Sequence, residues 1–532
     1  MKQTLCLGID GFDWDLATQL IAQNKLPNLQ GLLAKGAGGP MDLVLGESLA
    51  ASWATTLCGD WPDQHGILGD LQPLPSGEGT CMTRSSSAEQ PLIWDLISDP
   101  PVAVQVLAHA FVDSDSDGMA KFVHGDYPGK AQYGGTWPSL KPDWLHGFSP
   151  DEIALFADML IDPNAVPISA LIPFIPQLEN IDAQKDRRPA IIAHGIAHTL
   201  SVHNLLTWQI QASPAALTVS AYPLFTDLCS QFLAYQGNGL SIADNSYYYR
   251  EVVAATYDFF DVLLGRLLEL LGEEGSLVLV SHHGYKQSST GLKAAHMQRL
   301  ARPSAQGFCL FAGRHIQPGS EWLGAGQLDV VPTLLTLMHQ PVPDKLPGRV
   351  LSEFLDTHLQ VRYIHQERSN APQNWPAFKK SAQNRDFIQQ LAEQGYRDPL
   401  GQLMDQQRLN LDRERLLNIC KVHTLKAEEP LAITHLSVWI KKHPSDLHVL
   451  LRLLFMLVIK NNNASLTGLA RQALDCINQL SDKQFMQQVP NLSRQVLTTL
   501  LDGLILYGQG DEDNALDYLI RLNECHNEDI TQ

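Results

Sequence analysis

Basic residues are in short supply: Lys and Arg number 38 against 57 Asp and Glu, a formal charge of −19 over 532 residues. A chain this acidic has no electrostatic footprint for a phosphate backbone, which excludes nucleic-acid binding as its main task. Cysteine is sparse too, with eight at 6, 58, 81, 229, 309, 420, 476 and 525, no close pair and no C-x-x-C. That spacing builds neither a zinc ribbon nor a disulfide framework and suits a reducing compartment. Long apolar runs are missing as well, and Leu453 to Ile459 is far too short to span a bilayer. The opening MKQTLCLGIDGFDW reaches Asp10 before a signal-peptide core forms. The expectation is a soluble, cytoplasmic protein with no membrane partner.

What is present is enough for a large core. Hydrophobic residues make up 44% and charged residues 18%, too apolar for extended disorder, and the length allows two to four domains of about 150 residues. Thr4–Ile9 is a short apolar run ending in Asp-Gly, and Trp14–Leu33 carries helical apolar spacing, giving strand, loop and helix in order. Ser276–Val280 reads as a second such strand, preceded by an amphipathic helix over Tyr249–Leu271 and followed by SHHG. Phe308–Phe311, Val102–Leu107 and Ala216–Val219 fit further strands. Alternation of this kind predicts an α/β fold, a largely parallel sheet flanked by helices, with its chemistry beyond the carboxyl ends of the strands.

The expected organisation is an α/β domain over 1–356, with a cap-like insertion rich in Pro, Gly and Trp at about 127–181. A polar linker over 357–385 leads to an all-α region over 386–532. In that region ITHLSVWIKKHPSD (433–446) and LILYGQGDEDNALDYLIRL (504–522) have the spacing of tetratricopeptide-type helix pairs. A plain helical bundle explains the same spacing equally well.

Carboxylates and imidazoles at strand ends are what hard or borderline cations need. Asp10 follows the first strand, Asp227 follows the run LTVSAYPLFTD, His282 and His283 follow a third strand, and His296 lies in a polar loop beyond. Singly, each has a structural explanation as a cap, a turn or a satisfied core residue. Together, on strand ends that a parallel sheet gathers, they point to a cation site. Mixed Asp/His ligation suits Zn²⁺, with Mn²⁺ or Fe²⁺ also compatible.

Several segments, in order over about residues 1–355, resemble the type I phosphodiesterase/nucleotide pyrophosphatase branch of the alkaline phosphatase superfamily. They are LGIDGFDWDLATQLIAQNKLPNLQGLLAKGA at the start, SWATTLCGDWPDQHGILGD (52–70), YDFFDVLLGRLLELL (257–271) with SLVLVSHHG (276–284), and LDVVPTLLTLMHQPVPDKLPGRVL (328–351). EQGYRDP (393–399) is similar to the element that precedes tetratricopeptide tails in some members. The resemblance implies a phosphate-ester hydrolase in which two cations about 4 Å apart clamp the phosphoryl oxygens while a Thr or Ser attacks. Asp10 and His283 match ligands of one metal. Asp227 matches the Asp of the family's Asp-x-x-x-His, and His296 falls where the last His of the other metal is expected.

Three positions depart from that pattern. His282 stands for the Asp of Ser-Asp-His-Gly, a substitution that keeps a ligand and removes a negative charge. Gln231 stands for the His of Asp-x-x-x-His, exchanging an imidazole for an amide oxygen, a weak ligand. Leu49 stands at the nucleophile position, so Ser48 is the candidate nucleophile if the loop shifts by one residue. Cys58 and Cys81 lack the C-x-P-x-R setting of a sulfatase. Two expectations follow. One is a divergent metal-dependent phosphodiesterase or phosphomonoesterase, holding one or two divalent ions, Zn²⁺ or Mn²⁺, on Asp10, Asp227, His282, His283 and His296. The other is a catalytically dead phosphatase-like protein that binds a partner through its helical repeats.

Overall fold

The protein is described by a computed structural model covering residues 3–46, 48–73, 80–97, 102–112, 121–123, 145–236, 240, 245–287, 301–303, 306–320, 322–365, 399–460, 463–489 and 493–518. These divide into two compact units: residues 3–72 and 80–365 belong to the first, and Pro73 with residues 399–518 to the second. Residues 127–144 of the expected cap and 366–385 of the expected linker lie outside the described residues.

The first unit is built on one nine-stranded sheet. Its strands are β1 (Thr4–Gly8), β2 (Ala37–Asp42), β3 (Val104–Leu107), β4 (Lys121–Val123), β5 (Leu145–His146), β6 (Leu217–Ala221), β7 (Ser276–Ser281), β8 (Gly307–Gly313) and β9 (Ala325–Gly326). The order across the sheet is β9-β2-β8-β7-β1-β6-β3-β4-β5. The block β7, β1, β6, β3 and β4 is parallel throughout, whereas β8 runs antiparallel to both β7 and β2. Central β1 pairs on both sides, Cys6 lying level with Val219 and Val278. All five of its residues are buried, which is why it reads as an unbroken apolar run and not as an alternating one.

The helices of this unit that matter for the site are α1 (Trp14–Ala22), α2 (Pro27–Lys35), α3 (Leu49–Cys58), α4 (Arg188–Ala212), α5 (Leu224–Phe232), α6 (Val252–Leu271) and α7 (Val330–Leu337). The spacing over 14–33 predicts one helix, and the structure has two. Asn24 takes a left-handed conformation (φ 58°), and Pro27, which cannot sit inside a helix, opens the next one. The N–H donors that the first turn of α2 cannot satisfy within its own helix are met from α6: Asp261 accepts from the backbone N–H groups of Asn28 (3.0 Å) and Leu29 (2.8 Å). Phe12, just beyond β1, packs edge-on to Phe225 of α5 at 5.5 Å and tilted to Phe308 of β8 at 4.8 Å, fixing the loop that carries Asp10.

The second unit is helical: α8 (Pro399–Leu425), α9 (Glu429–Lys442), α10 (Leu447–Ile459), α11 (Asn463–Gln479), α12 (Asp482–Gln488) and α13 (Arg494–Gly508). Successive helices pack on one another from α8 to α11, and α13 packs on α11. Asp446 of the Pro-x-Asp turn caps α10 and also accepts the indole N–H of Trp439 (2.9 Å). Among the described residues no helix is long and apolar enough to cross a membrane.

Candidate functional site

Asp10 lies two residues beyond β1, and Trp53 of α3 is laid across the strand end to meet it. A Cβ on Gly8 would stand 2.5 Å from the indole Cζ2, so only glycine permits this contact. Trp53 Nε1 donates to Asp10 Oδ2 at 2.6 Å. The other oxygen accepts from the His282 backbone N–H (2.8 Å) and from His282 Nδ1 (3.1 Å). His282 Nε2 meets the Thr56 hydroxyl at 2.7 Å. The result is a buried chain Trp53–Asp10–His282–Thr56 in which each oxygen of the carboxylate and each nitrogen of the imidazole already has a partner. Burial alone would push the Asp10 carboxyl up; the neighbouring His282 and His283 imidazoles and the hydrogen bonds from His282 hold it down to about 2.

The sequence assigns Asp10, His282 and His283 to one cation; the structure bonds His282 to Asp10 and sets His283 close enough to act on the carboxylate, but the ligand atoms of the three do not converge to within 4.8 Å of one another. His283 sits edge-on to Tyr285, with ring centroids 5.1 Å apart, and burial holds its imidazole below the usual range.

Two further imidazoles border this cluster. His65 accepts the Ile67 backbone N–H at Nδ1 (3.2 Å), so its Nε2 carries the proton and donates to Thr55 Oγ1 (3.0 Å). His109 accepts from Phe111 N (3.3 Å) and stands edge-on to Trp53, with ring centroids 4.2 Å apart. Burial drives both down to about 3. They are neutral wedges that fix α3 and its loops.

Ser48 is the residue before α3, and Leu49 is the first residue inside it. Ser48 Oγ accepts from Ala51 N (3.2 Å) and donates to Asp70 Oδ1 (3.0 Å), which also accepts from Ala50 N (2.8 Å). A hydroxyl, a carboxylate and the positive end of a helix are thereby joined at the carboxyl end of β2.

Asp227 lies in the first turns of α5, next to the first half of α4. Its Oδ2 bonds His198 Nδ1 at 2.9 Å, and His194 stands one turn earlier on the same face of α4. Ligand atoms of His194, His198 and Asp227 all fall within 4.8 Å of one another, the one such group of three among the described residues. Gly195 lets the helices close: a Cβ there would stand 2.8 Å from Leu228 Cδ2. Burial also lowers the His194 imidazole. Gln231 instead donates its amide to the Asp227 backbone carbonyl (3.0 Å), along its own helix. His296 lies outside the described residues. The Thr226 hydroxyl donates to the Asp10 carbonyl (2.9 Å), tying α5 to the end of β1.

Sequence reading misses His194 and His198, although AHGIAHTL shows the i, i+4 spacing. Their relation to Asp227 exists only once α4 lies on α5.

A largely parallel nine-stranded sheet flanked by helices, with Asp, His and Ser side chains beyond its carboxyl edge, defines an α/β fold of the kind that carries its chemistry at the strand ends. Residues 4–319 match the profile of the type I phosphodiesterase / nucleotide pyrophosphatase family, and the chain belongs to that family of phosphoester hydrolases. Among solved structures, a putative sulfatase from Bacteroides thetaiotaomicron is similar at 13% identity and a TM-score of 0.39, over 66% of this chain and 74% of its own. Murine ectonucleotide pyrophosphatase/phosphodiesterase 5 is similar at 11% and 0.37, over 67% of this chain and 100% of its own. The phosphonate monoester hydrolase of Silicibacter pomeroyi gives 14% and 0.35, over 67% and 76%. No curated protein matches the chain.

Proposed function

We propose that the chain is a metal-dependent phosphoric-ester hydrolase with an altered metal site, acting on phosphodiesters or phosphomonoesters. The observation that carries this reading is the Ser48–Asp70 hydrogen bond at the start of α3. It pairs a hydroxyl with a carboxylate that can take its proton, at the positive end of a helix.

The superfamily uses divalent metals, generally Zn or Mn. The residues here fit such an ion unevenly. At Asp10 and His282 a cation would have to displace an indole, a backbone amide and a threonine hydroxyl. His194, His198 and Asp227 offer two imidazoles and a carboxylate, a donor set that zinc takes with positions left open. A cation bound there would polarise a phosphoryl oxygen.

The chain's own groups account for the rest. Ser48 Oγ attacks phosphorus, the bond to the leaving alcohol breaks, and the serine proton passes through Asp70 to that alcohol. Water then attacks the phosphoserine, the Oγ–P bond breaks, and a water proton returns to Ser48. In chain reloaded with Zn²⁺ or Mn²⁺, Ser48→Ala is expected to lower the release of p-nitrophenol from its phosphate mono- or diester by about 100-fold or more, and Asp70→Asn by a smaller factor. Equal turnover in wild type and Ser48→Ala would remove serine from the mechanism.

A second reading, a phosphatase-like domain without turnover, is favoured by the closed Asp10–His282–Thr56 chain. Any turnover lost with Ser48→Ala excludes it. In either case we read the helical region as a tetratricopeptide-like surface for a protein partner. Phe455 and Ile459, exposed one turn apart on α10, support this. Phe455→Ser is expected to reduce co-purification of that partner with an unchanged helical circular-dichroism signal; equal recovery would remove the partner reading.

A further inference from the structure

We infer that the chain binds one divalent cation of the zinc class on His194, His198 and Asp227, a ligand set that recruits two imidazoles from α4 in place of the side chain at 231. This deepens the hydrolase reading by naming the cation site, and it can stand or fall separately from turnover.

Four observations carry it. His194 and His198 are spaced i, i+4, which puts both imidazoles on one face of α4, and that face is turned to the residue of α5 bearing the carboxylate. Their ligand atoms lie within 4.8 Å of one another. A cation with bonds of about 2.0–2.2 Å needs its ligands no more than about 4.4 Å apart, so a small side-chain rotation completes the set. Gly195 sits between the two histidines and lets Leu228, next to Asp227, approach to a distance at which a Cβ would clash (2.8 Å to Leu228 Cδ2). Gln231, one turn beyond Asp227, is held away, with its amide on the backbone.

The chemistry of the atoms agrees. The Asp227–His198 bond uses one carboxylate oxygen and one ring nitrogen. Among the described residues, no hydrogen bond is made to Asp227 Oδ1 or by His198 Nε2. These atoms are available to a cation without breaking the packing of α4 on α5. The three groups are half-buried, so the desolvation is modest and a face stays open for water or a phosphoryl oxygen.

The site also has a place in the fold. On α4, His203 Nδ1 bonds the Tyr222 hydroxyl just beyond β6 (2.6 Å), and Thr226, next to Asp227, is bonded to the Asp10 backbone. A cation here would therefore stand at the same edge of the sheet as Asp10.

The test is calorimetric titration of chelator-stripped full-length chain with Zn²⁺, repeated with Co²⁺ and its visible absorption. One ion per chain is expected. His194→Gln and His198→Gln should each weaken binding by at least about 100-fold, beyond the 10–100-fold that outer-sphere changes cost, with the Co²⁺ bands altered. Gln231→Ala should leave affinity unchanged. No binding to wild type overturns the inference, as does wild-type affinity in both histidine variants or a loss confined to Gln231→Ala. Where a variant does not fold, Zn²⁺ protection of His194 and His198 against diethyl pyrocarbonate, read by peptide mass in the wild type, decides: equal labelling with and without Zn²⁺ contradicts the site. Binding without turnover would keep this site and remove the hydrolase. Turnover with unchanged metal content in His194→Gln and His198→Gln would keep the hydrolase and remove this site.

Discussion

His65 and His109, each held down to about 3, and His203, held down to about 4, are imidazoles that burial keeps neutral. Unfolded, each titrates near 6.5, so between that value and its folded value the unfolded chain binds more protons. Their contribution to stability is complete above about 6.5 and is lost as the pH falls toward 3 to 4. At pH 5 a single such group costs about 2 kcal/mol, and the Ile67 bond to His65 Nδ1 is lost when that nitrogen takes a proton. Asp10, held near 2, acts in a lower window: its carboxylate stabilises the fold above about 3.9 and fails only as the pH drops through 2. The melting temperature should therefore fall between pH 7.5 and 5, and fall less steeply in His65→Gln. An unchanged slope in that variant would show that His65 does not carry the effect. Residues of this kind differ in how far the sequence discloses them. Asp10, His282 and His283 are legible because each follows a short apolar strand inside a recognisable motif. Their partners Trp53 and Thr56 are not, since the contact depends on α3 lying across β1, and His194 with His198 depends on α4 lying on α5.

At the scale of elements, the buried strands read correctly because both their faces are covered and their residues form continuous apolar runs. Helix α4 does not announce itself in the same way. Its 25 residues are buried on several sides, from Ile192 and Ile196 to Leu205, Leu206 and Ile210, so the apolar positions do not concentrate on one stripe. The break between α1 and α2 was signalled by Pro27, yet the apolar spacing continues across it and suggests one helix. What holds α2 in place is a residue far away in sequence. Asp261 supplies acceptors to two backbone N–H groups and to the Asn28 amide (3.0 Å). Asp261→Ala leaves those donors unmet in a buried setting and is expected to cost about 2–4 kcal/mol, read as a lower denaturation midpoint with an unchanged denaturant slope. A midpoint within error of the wild type would mean that water replaces the aspartate.

The whole molecule joins a phosphoester-hydrolase fold to a helical unit, and its candidate site sits where a largely parallel sheet delivers the ends of its strands. Asp10 has an imidazole for a partner, Gln231 serves its own helix, and the hydroxyl nearest the helix start belongs to Ser48, beside a leucine that cannot react. Reactivity at Ser48 is the claim on which the hydrolase reading turns. Its most direct test is to incubate the full-length chain with Zn²⁺ and a phosphate ester, quench in acid within the first turnovers, and locate any phosphoryl group by peptide mass spectrometry. A phosphoryl group on the peptide bearing Ser48, and on the serine itself, is the result predicted. Turnover with the group on another residue, or no adduct and no turnover across mono- and diesters, would contradict it.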